Sequence, residues 1–132
     1  LRNKVTRSIH LPIAAGLLAF AGHAAAQPVA SARPAVDGAK LYQAKCASCH
    51  SVDANKIGPA HRGVFGRASG TAPGYSYSAA LAKAKIVWND ATLDQWLSGP
   101  QKMVKGSKMF LVVNRPEERA AIIAFLKAQT RK

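Results

Sequence analysis

The 132-residue chain has only two cysteines, only six acidic residues against 19 basic ones, and no internal repeat or low-complexity tract. With no third cysteine, a structural zinc site would have to complete its four ligands from His50 and His61, an ill-fitting set. No Val/Ile-rich strand precedes the cysteines, which separates the chain from redox disulfide proteins whose CxxC opens a helix after a buried strand. No nucleic-acid-binding motif is present, and the basic residues are spread along the chain rather than gathered in a run. Beyond the N-terminal segment there is no further hydrophobic run, so the remainder reads as one small domain without stable membrane insertion.

That N-terminal segment has the build of an export signal. Arg2, Lys4 and Arg7 give a positive start, residues 11–21 are apolar but for breaks at Pro12 and Gly16, and Ala24, Ala25 and Ala26 supply small residues for cleavage before Gln27. The stretch is too short to cross a hydrocarbon core of about 30 Å, which takes about 20 residues. The pattern predicts a cleavable signal peptide at 1–26, a disordered lead-in at 27–35 with Pro28 and Pro34, and a folded domain at 36–132. The compartment implied is the bacterial periplasm. Leu1 stands where an initiator methionine would, which reads as a non-standard start or a clipped fragment.

Cleavage would remove three basic residues and no acidic one, leaving a strongly positive domain. Such an imbalance points to nucleic acid, an anionic membrane or an acidic protein partner. Export and the missing nucleic-acid motifs leave an acidic protein as the expected partner of a monomeric domain.

Both cysteines fall in one pentapeptide, Cys46-Ala47-Ser48-Cys49-His50. This is the spacing at which two thiols add to the two vinyl groups of a haem while the adjacent imidazole binds its iron. Attachment also gives two thiols in an oxidising compartment a fate other than a disulfide.

The periodicity predicts an all-α domain of three to five helices with long loops. A first helix opens near Asp37 and runs to about Ala47, placing Gly38, Tyr42, Cys46 and Cys49 along one face. Residues 51–77 carry Gly and Pro punctuators and little apolar period, which suits a loop wrapped on a cofactor plane. A short helix is predicted at 78–85, and another after Asn89 or Asp90 that contains Leu93, Trp96 and Leu97 and stops at Gly99-Pro100. A second irregular stretch holds Met103 and Met109. The last helix opens at Pro116, with Glu117 and Glu118 in its first turn and Ile122, Phe125 and Leu126 on its apolar face.

If His50 is one axial ligand, the other comes from His61, Met103, Met109, a lysine or water. His61 is so close in sequence that it belongs to the same side. Position alone favours Met109 only slightly over Met103, and either methionine could be a core filler.

The chain resembles the class I cytochromes c, especially the mitochondrial cytochrome c and bacterial cytochrome c2 group, over nearly all of residues 37–129. The resemblance is carried by Gly38 and Tyr42 leading into CASCH, by IGPAHRGVFGR (57–67), APGYSYS (72–78), IVW (86–88), TLDQWLSGP (92–100), VKGSKM (104–109) and RAAIIAFLK (119–127). It implies one haem c linked through Cys46 and Cys49, with His50 and Met109 on the iron and the Pro59 carbonyl orienting the imidazole. It also places Arg67, Tyr75, Tyr77, Trp88 and Ser107 as donors to buried propionates. Gly38 and Tyr42 would cross Ile122 and Phe125.

Four positions depart from the family: His61 replaces a leucine, Lys105 a proline, Trp96 a tyrosine near the methionine, and Val113 a glycine. Trp96 keeps one donor but cannot accept a hydrogen bond. Loss of the proline predicts a looser segment around Met109.

Lys40, Lys45, Lys56, Lys102 and Lys108 match a basic ring around the family's exposed haem edge, with Lys105 in addition. The function implied is electron carriage rather than enzymatic catalysis, from a quinol-oxidising complex to a terminal oxidase, reductase or photosynthetic centre. The rival readings are a peroxidase-type haem enzyme or gas sensor with a labile sixth ligand, and a disulfide oxidoreductase or metal-binding module with free thiols.

Overall fold

The computed structural model describes residues 35–130, so the expected signal peptide and all but the end of the lead-in lie outside the described residues. Asp37 sets the start of the first helix. Its carboxylate accepts the N–H groups of Ala39 at 3.0 Å and Lys40 at 3.1 Å, and α1 runs Gly38–Lys45. The helix is shorter than its apolar face predicts. At Cys46 the last turn widens, with the N–H groups of Cys46 and Ala47 both donating to the Tyr42 carbonyl.

A long irregular stretch follows, then α2 (Ala79–Lys83), capped by the Ser78 hydroxyl. It ends before residue 85 because Lys85 takes a left-handed conformation (φ 52°) that no α-helix continues through. The chain then pairs briefly with the wrapping loop, Ser69 N–H donating to the Ile86 carbonyl and Trp88 N–H to the Arg67 carbonyl around an isolated bridge between Ala68 and Val87.

Helix α3 (Asp90–Ser98) opens on a reciprocal cap, Asn89 Oδ1 accepting from Thr92 N and Thr92 Oγ1 from Asn89 N. A four-residue helix, α4 (Pro100–Met103), follows where an irregular stretch was predicted. Proline at its first position explains it, since the fixed φ suits a helix start and the missing N–H is not needed there. Helix α5 (Pro116–Ala128) starts in the same way, with Glu117 and Glu118 in its first turn.

Helix α5 packs against both α1 and α3. Ile122 is fully buried, and Tyr42, Leu93, Trp96, Leu97 and Leu126 share its core. The α1–α5 crossing is close: a Cβ at Gly38 would sit 2.1 Å from the Ala121 carbonyl oxygen. Lys45 pairs with Glu118 at 3.3 Å beside it. Arg119 fastens α5 to α3 through Asp94 at 2.6 Å and donates to the Val113 carbonyl at 3.0 Å. Val113, at the family's glycine position, is buried and donates to the Leu97 carbonyl. No helix among the described residues is long and apolar enough to cross a membrane.

Candidate functional site

Helix α1 delivers the CxxCH segment at its carboxyl end. Cys46 caps the helix and is buried, Cys49 is exposed, and neither is in a disulfide. A thioredoxin-type thiol has its pKa lowered by a helix N-terminus, whereas burial here pushes the Cys46 thiol up to about 11. Cys46 is therefore not an activated thiol. No group of three or more His, Cys, Asp or Glu that could hold a metal ion forms among the described residues, so the zinc alternative lacks its ligand set.

His50 Nδ1 lies 2.9 Å from the Pro59 carbonyl oxygen. A carbonyl only accepts, so Nδ1 carries the proton and Nε2 keeps its lone pair. The preceding loop touches the imidazole closely enough that a Cβ at Gly58 would be 2.1 Å from Cε1. Burial holds His50 below the usual histidine range, opposed by the Pro59 hydrogen bond and reinforced by Lys56. His61 stacks on His50 with ring centres 4.0 Å apart and 20° between planes, and its Nδ1 is 3.1 Å from the Tyr42 hydroxyl. Burial pushes His61 down to about 3, with His50 and Arg67 adding to the effect, so it stays neutral.

Met109 arrives from the segment after α4. Trp96 Nε1 donates to its sulfur at 3.2 Å, and Trp96 packs on Trp88 with ring centres 5.4 Å apart. Met103, the other methionine, is packed against the core from α4. Cys46, Cys49, His50 and Met109 all line one mainly apolar cleft of about 500 Å³, within the range of cofactor sites. Pro59, His61 and Trp96 belong to the same wall.

Of the expected polar donors, Arg67, Tyr75, Tyr77 and Trp88 line the cleft. Tyr75 Oη donates to the Ile57 carbonyl at 2.6 Å, and Tyr77 Oη accepts from Ala72 N at 3.2 Å. Ser107 is buried but not among the lining residues, and its Oγ accepts from Gln101 Nε2 at 2.8 Å. Arg67 donates from its two terminal nitrogens to the Arg62 and Ala60 carbonyls, while its buried Nε has no partner among the described residues. An unpaired buried donor on a cation is costly, and an acid group in the cleft would satisfy it.

The six lysines do not share one setting. Lys45 and Lys108 line the cleft, Lys45 paired with Glu118 and Lys108 donating to the Ser76 carbonyl at 2.9 Å. Lys56 donates to the Ala47 carbonyl at 2.5 Å, and Lys40 lies 3.7 Å from Asp37. Lys102 and Lys105 are exposed. Two features escaped the sequence reading. Gln101 binds the Met109 segment, and Phe110, Leu111 and Val112 are exposed beyond it. Four apolar residues in a row just after Met109, Phe110 to Val113, were the available signal for the second.

A cleft that gathers two unpaired thiols, an imidazole with a free nitrogen, a thioether and an unpaired guanidinium N–H has the wall chemistry of a covalent haem protein. The comparisons agree. Residues 35–130 match the family model for cytochrome c. The chain is 47% identical to cytochrome c of Sesamum indicum and 48% identical to that of Ulva intestinalis, each match covering 70% of this chain and 87% of the relative. Cytochrome cH from Methylobacterium extorquens shares the fold with a TM-score of 0.66 and 42% identity, over 69% of this chain and 94% of that one. The chain belongs to the cytochrome c family. It has the small all-α fold, the electron-carrier role and the covalently attached haem c of that family, with Cys46 and Cys49 at the attachment spacing.

Proposed function

We propose that the protein is an exported, periplasmic electron carrier that takes electrons from a quinol-oxidising complex and passes them to a terminal oxidase, reductase or photosynthetic centre. The observation that carries this reading is the pair of donors in one apolar cleft: His50, whose Nε2 lone pair is set free by the Pro59 carbonyl, and Met109, whose sulfur is held by the Trp96 N–H. Two strong protein ligands leave no position for a substrate, so the remaining work is electron transfer.

When bound, the haem supplies a one-electron couple between ferric and ferrous iron. Cys46 and Cys49 would hold it through thioether links, and His50 and Met109 would bind its iron. The Pro59 carbonyl fixes the tautomer and orientation of His50 and makes it the better donor. Arg67 Nε, in need of an acceptor, would receive a propionate, with Tyr75, Tyr77 and Trp88 on the same cleft wall. Ser107 supports the same region from behind the wall, through Gln101.

The positive charge recruits the partner. Lys40, Lys45, Lys56, Lys102, Lys105 and Lys108 form the docking set, and an acidic redox protein gains a steered on-rate that salt suppresses. The periplasmic assignment rests on the export pattern of residues 1–26. The rival reading, a haem enzyme or gas sensor with a labile sixth ligand, finds less support because the Met109 sulfur and its backbone are both tethered.

The test is to purify the natively exported protein and measure its mass and spectrum. The expected result is one haem added to the signal-cleaved polypeptide, a sulfur-to-iron charge-transfer band, and reduction of an acidic-faced oxidase at a rate that falls with ionic strength. A colourless protein of bare polypeptide mass overturns the proposal. Carbon monoxide binding to the resting ferrous form moves the assignment to the rival, and a salt-indifferent rate removes the docking set.

A further inference from the structure

We propose that Gln101 is the positioning residue that clamps the Met109 segment, setting how readily an outside ligand displaces the methionine. The proposal rests on the reading of Met109 as an axial ligand.

Helix α4 makes Gln101 a firm base. Pro100 is buried, and the helix closes through Val104 N–H on the Pro100 carbonyl at 2.8 Å and Met103 N–H on the Gly99 carbonyl at 3.1 Å. From this base the half-buried amide reaches along residues 106–109. The two N–H groups of its Nε2 are shared among the Ser107 carbonyl, the Ser107 hydroxyl and the Met109 carbonyl, each at 2.8 Å, and its Oε1 accepts from Gly106 N at 3.2 Å. One neutral side chain thus supplies a donor and an acceptor to three residues of the same segment, and the Met109 carbonyl is among its partners. Among neutral side chains a carboxamide sets two N–H donors and a separate carbonyl acceptor on different atoms, so it can reach both at once.

Apart from the Trp96 N–H on the Met109 sulfur, few bonds restrain that segment. Gly106 turns it in the left-handed region (φ 87°), which a glycine adopts without strain and also leaves easily. Its internal tie is Ser107 N–H on the Val104 carbonyl at 3.1 Å, and Lys108 adds a bond from an exposed side chain to the Ser76 carbonyl. Position 105 is lysine, without the fixed φ that a proline would impose. The restraint missing from the backbone at residue 105 is supplied by the side chain of residue 101. The looser segment predicted from sequence is therefore tethered from α4.

The test uses the full holoprotein and imidazole as the competing ligand. Imidazole is titrated into the ferric form while the sulfur-to-iron charge-transfer band is followed, with a denaturant midpoint measured alongside. Gln101→Leu removes both N–H donors and the acceptor at similar size. Gln101→Glu keeps the acceptor toward Gly106 but turns negative oxygens on two carbonyls. Both should raise the apparent imidazole affinity, by on the order of tenfold to a hundredfold for the leucine variant. Adding Lys105→Pro to Gln101→Leu should recover part of the loss. An unchanged affinity with an intact band overturns the clamp and leaves Met109 ligation standing, as does a lower denaturant midpoint without a change in affinity. Absence of the band from the unaltered protein overturns the ligand reading itself. Should the variants fail to accumulate, hydrogen exchange in the unaltered protein decides. Protected Gln101 side-chain amide and Gly106 amide protons support the clamp, and exchange at the free-amide rate refutes it.

Discussion

Gly38→Ala sets two effects of opposite sign against each other at the crossing of α1 and α5. Helix propensity favours alanine by about 0.8–1.0 kcal/mol in a helix interior, an upper bound for Gly38 as the first residue of α1, so on that ground the substitution would stabilise. The crossing opposes it. The new Cβ would lie 2.1 Å from the Ala121 carbonyl oxygen, 2.9 Å from the Ala121 carbonyl carbon and 3.2 Å from Phe125 Cβ. Two of those atoms are helix backbone and cannot rotate aside. An ordinary C···O contact is about 3.3–3.6 Å, so the helices must part by about 1 Å. A gap of that size forfeits a quarter to a half of each dispersion contact it opens, and Tyr42 and Ile122 sit in the packed layer beside it. Overpacking of this kind costs about 1–3 kcal/mol or more, against backbone at the upper end, which leaves a net loss of about 1–2 kcal/mol after the propensity gain. The assay is guanidinium unfolding of the holoprotein at equilibrium, reading a lower midpoint at unchanged slope, with a fall in Tm of about 4–8 °C per kcal/mol. A midpoint equal to or above that of the unaltered protein would show that propensity wins and that the crossing tolerates a methyl group.

Two further outcomes are expected. Trp96→Phe removes the N–H directed at the Met109 sulfur at 3.2 Å; the positive end of that dipole favours the reduced iron, so the potential should fall. A neutral hydrogen bond nets about 0.5–1.5 kcal/mol, and about 59 mV corresponds to tenfold in a one-electron couple, so a drop of a few tens of mV is expected in a redox titration and a rise refutes the sign. Asp37 is held below its ordinary value of 3.8, chiefly by accepting the Lys40 backbone N–H. Its contribution to stability is therefore full above the unfolded-state value and lost as pH falls through the lower folded one. Asp37→Asn keeps a capping oxygen without the charge, so its acid unfolding profile should lose that part of the slope while the unaltered protein keeps it.

The elements readable from sequence are those whose causes are local. Asp37, Ser78 and Pro116 each sit where a helix start demands them, and α1, α2 and α5 begin where those residues predict. The attachment segment was readable for a stronger reason, since covalent chemistry fixes the spacing of Cys46, Cys49 and His50 whatever the rest of the chain does. Helix α4 was not readable because four residues are too few to show a 3.6-residue period, and the Gly99-Pro100 pair that starts it also reads as a stop.

The same distinction separates the parts of the site. Stacking of His61 on His50 and its bond to Tyr42 join residues from a loop and a helix, and no spacing announces them. Lysines are harder still, because a long flexible side chain is a free charge in sequence and a hydrogen-bond donor in the fold. Lys56 on the Ala47 carbonyl and Lys108 on the Ser76 carbonyl have both taken backbone partners. Gln101 is the extreme case: its amide has meaning only once Gly106 has turned the segment back across α4. Family resemblance draws attention to Lys105 as a lost restraint and says nothing of where the restraint went. A substitution that loosens one backbone position can be offset by a side chain four residues earlier, provided that side chain rises from an element short enough to lie beside the loop and rigid enough to hold it. Pro100 and Gly99 make α4 such an element, so the tether on Met109 belongs to the whole turn from residue 99 to residue 109 rather than to any one position in it.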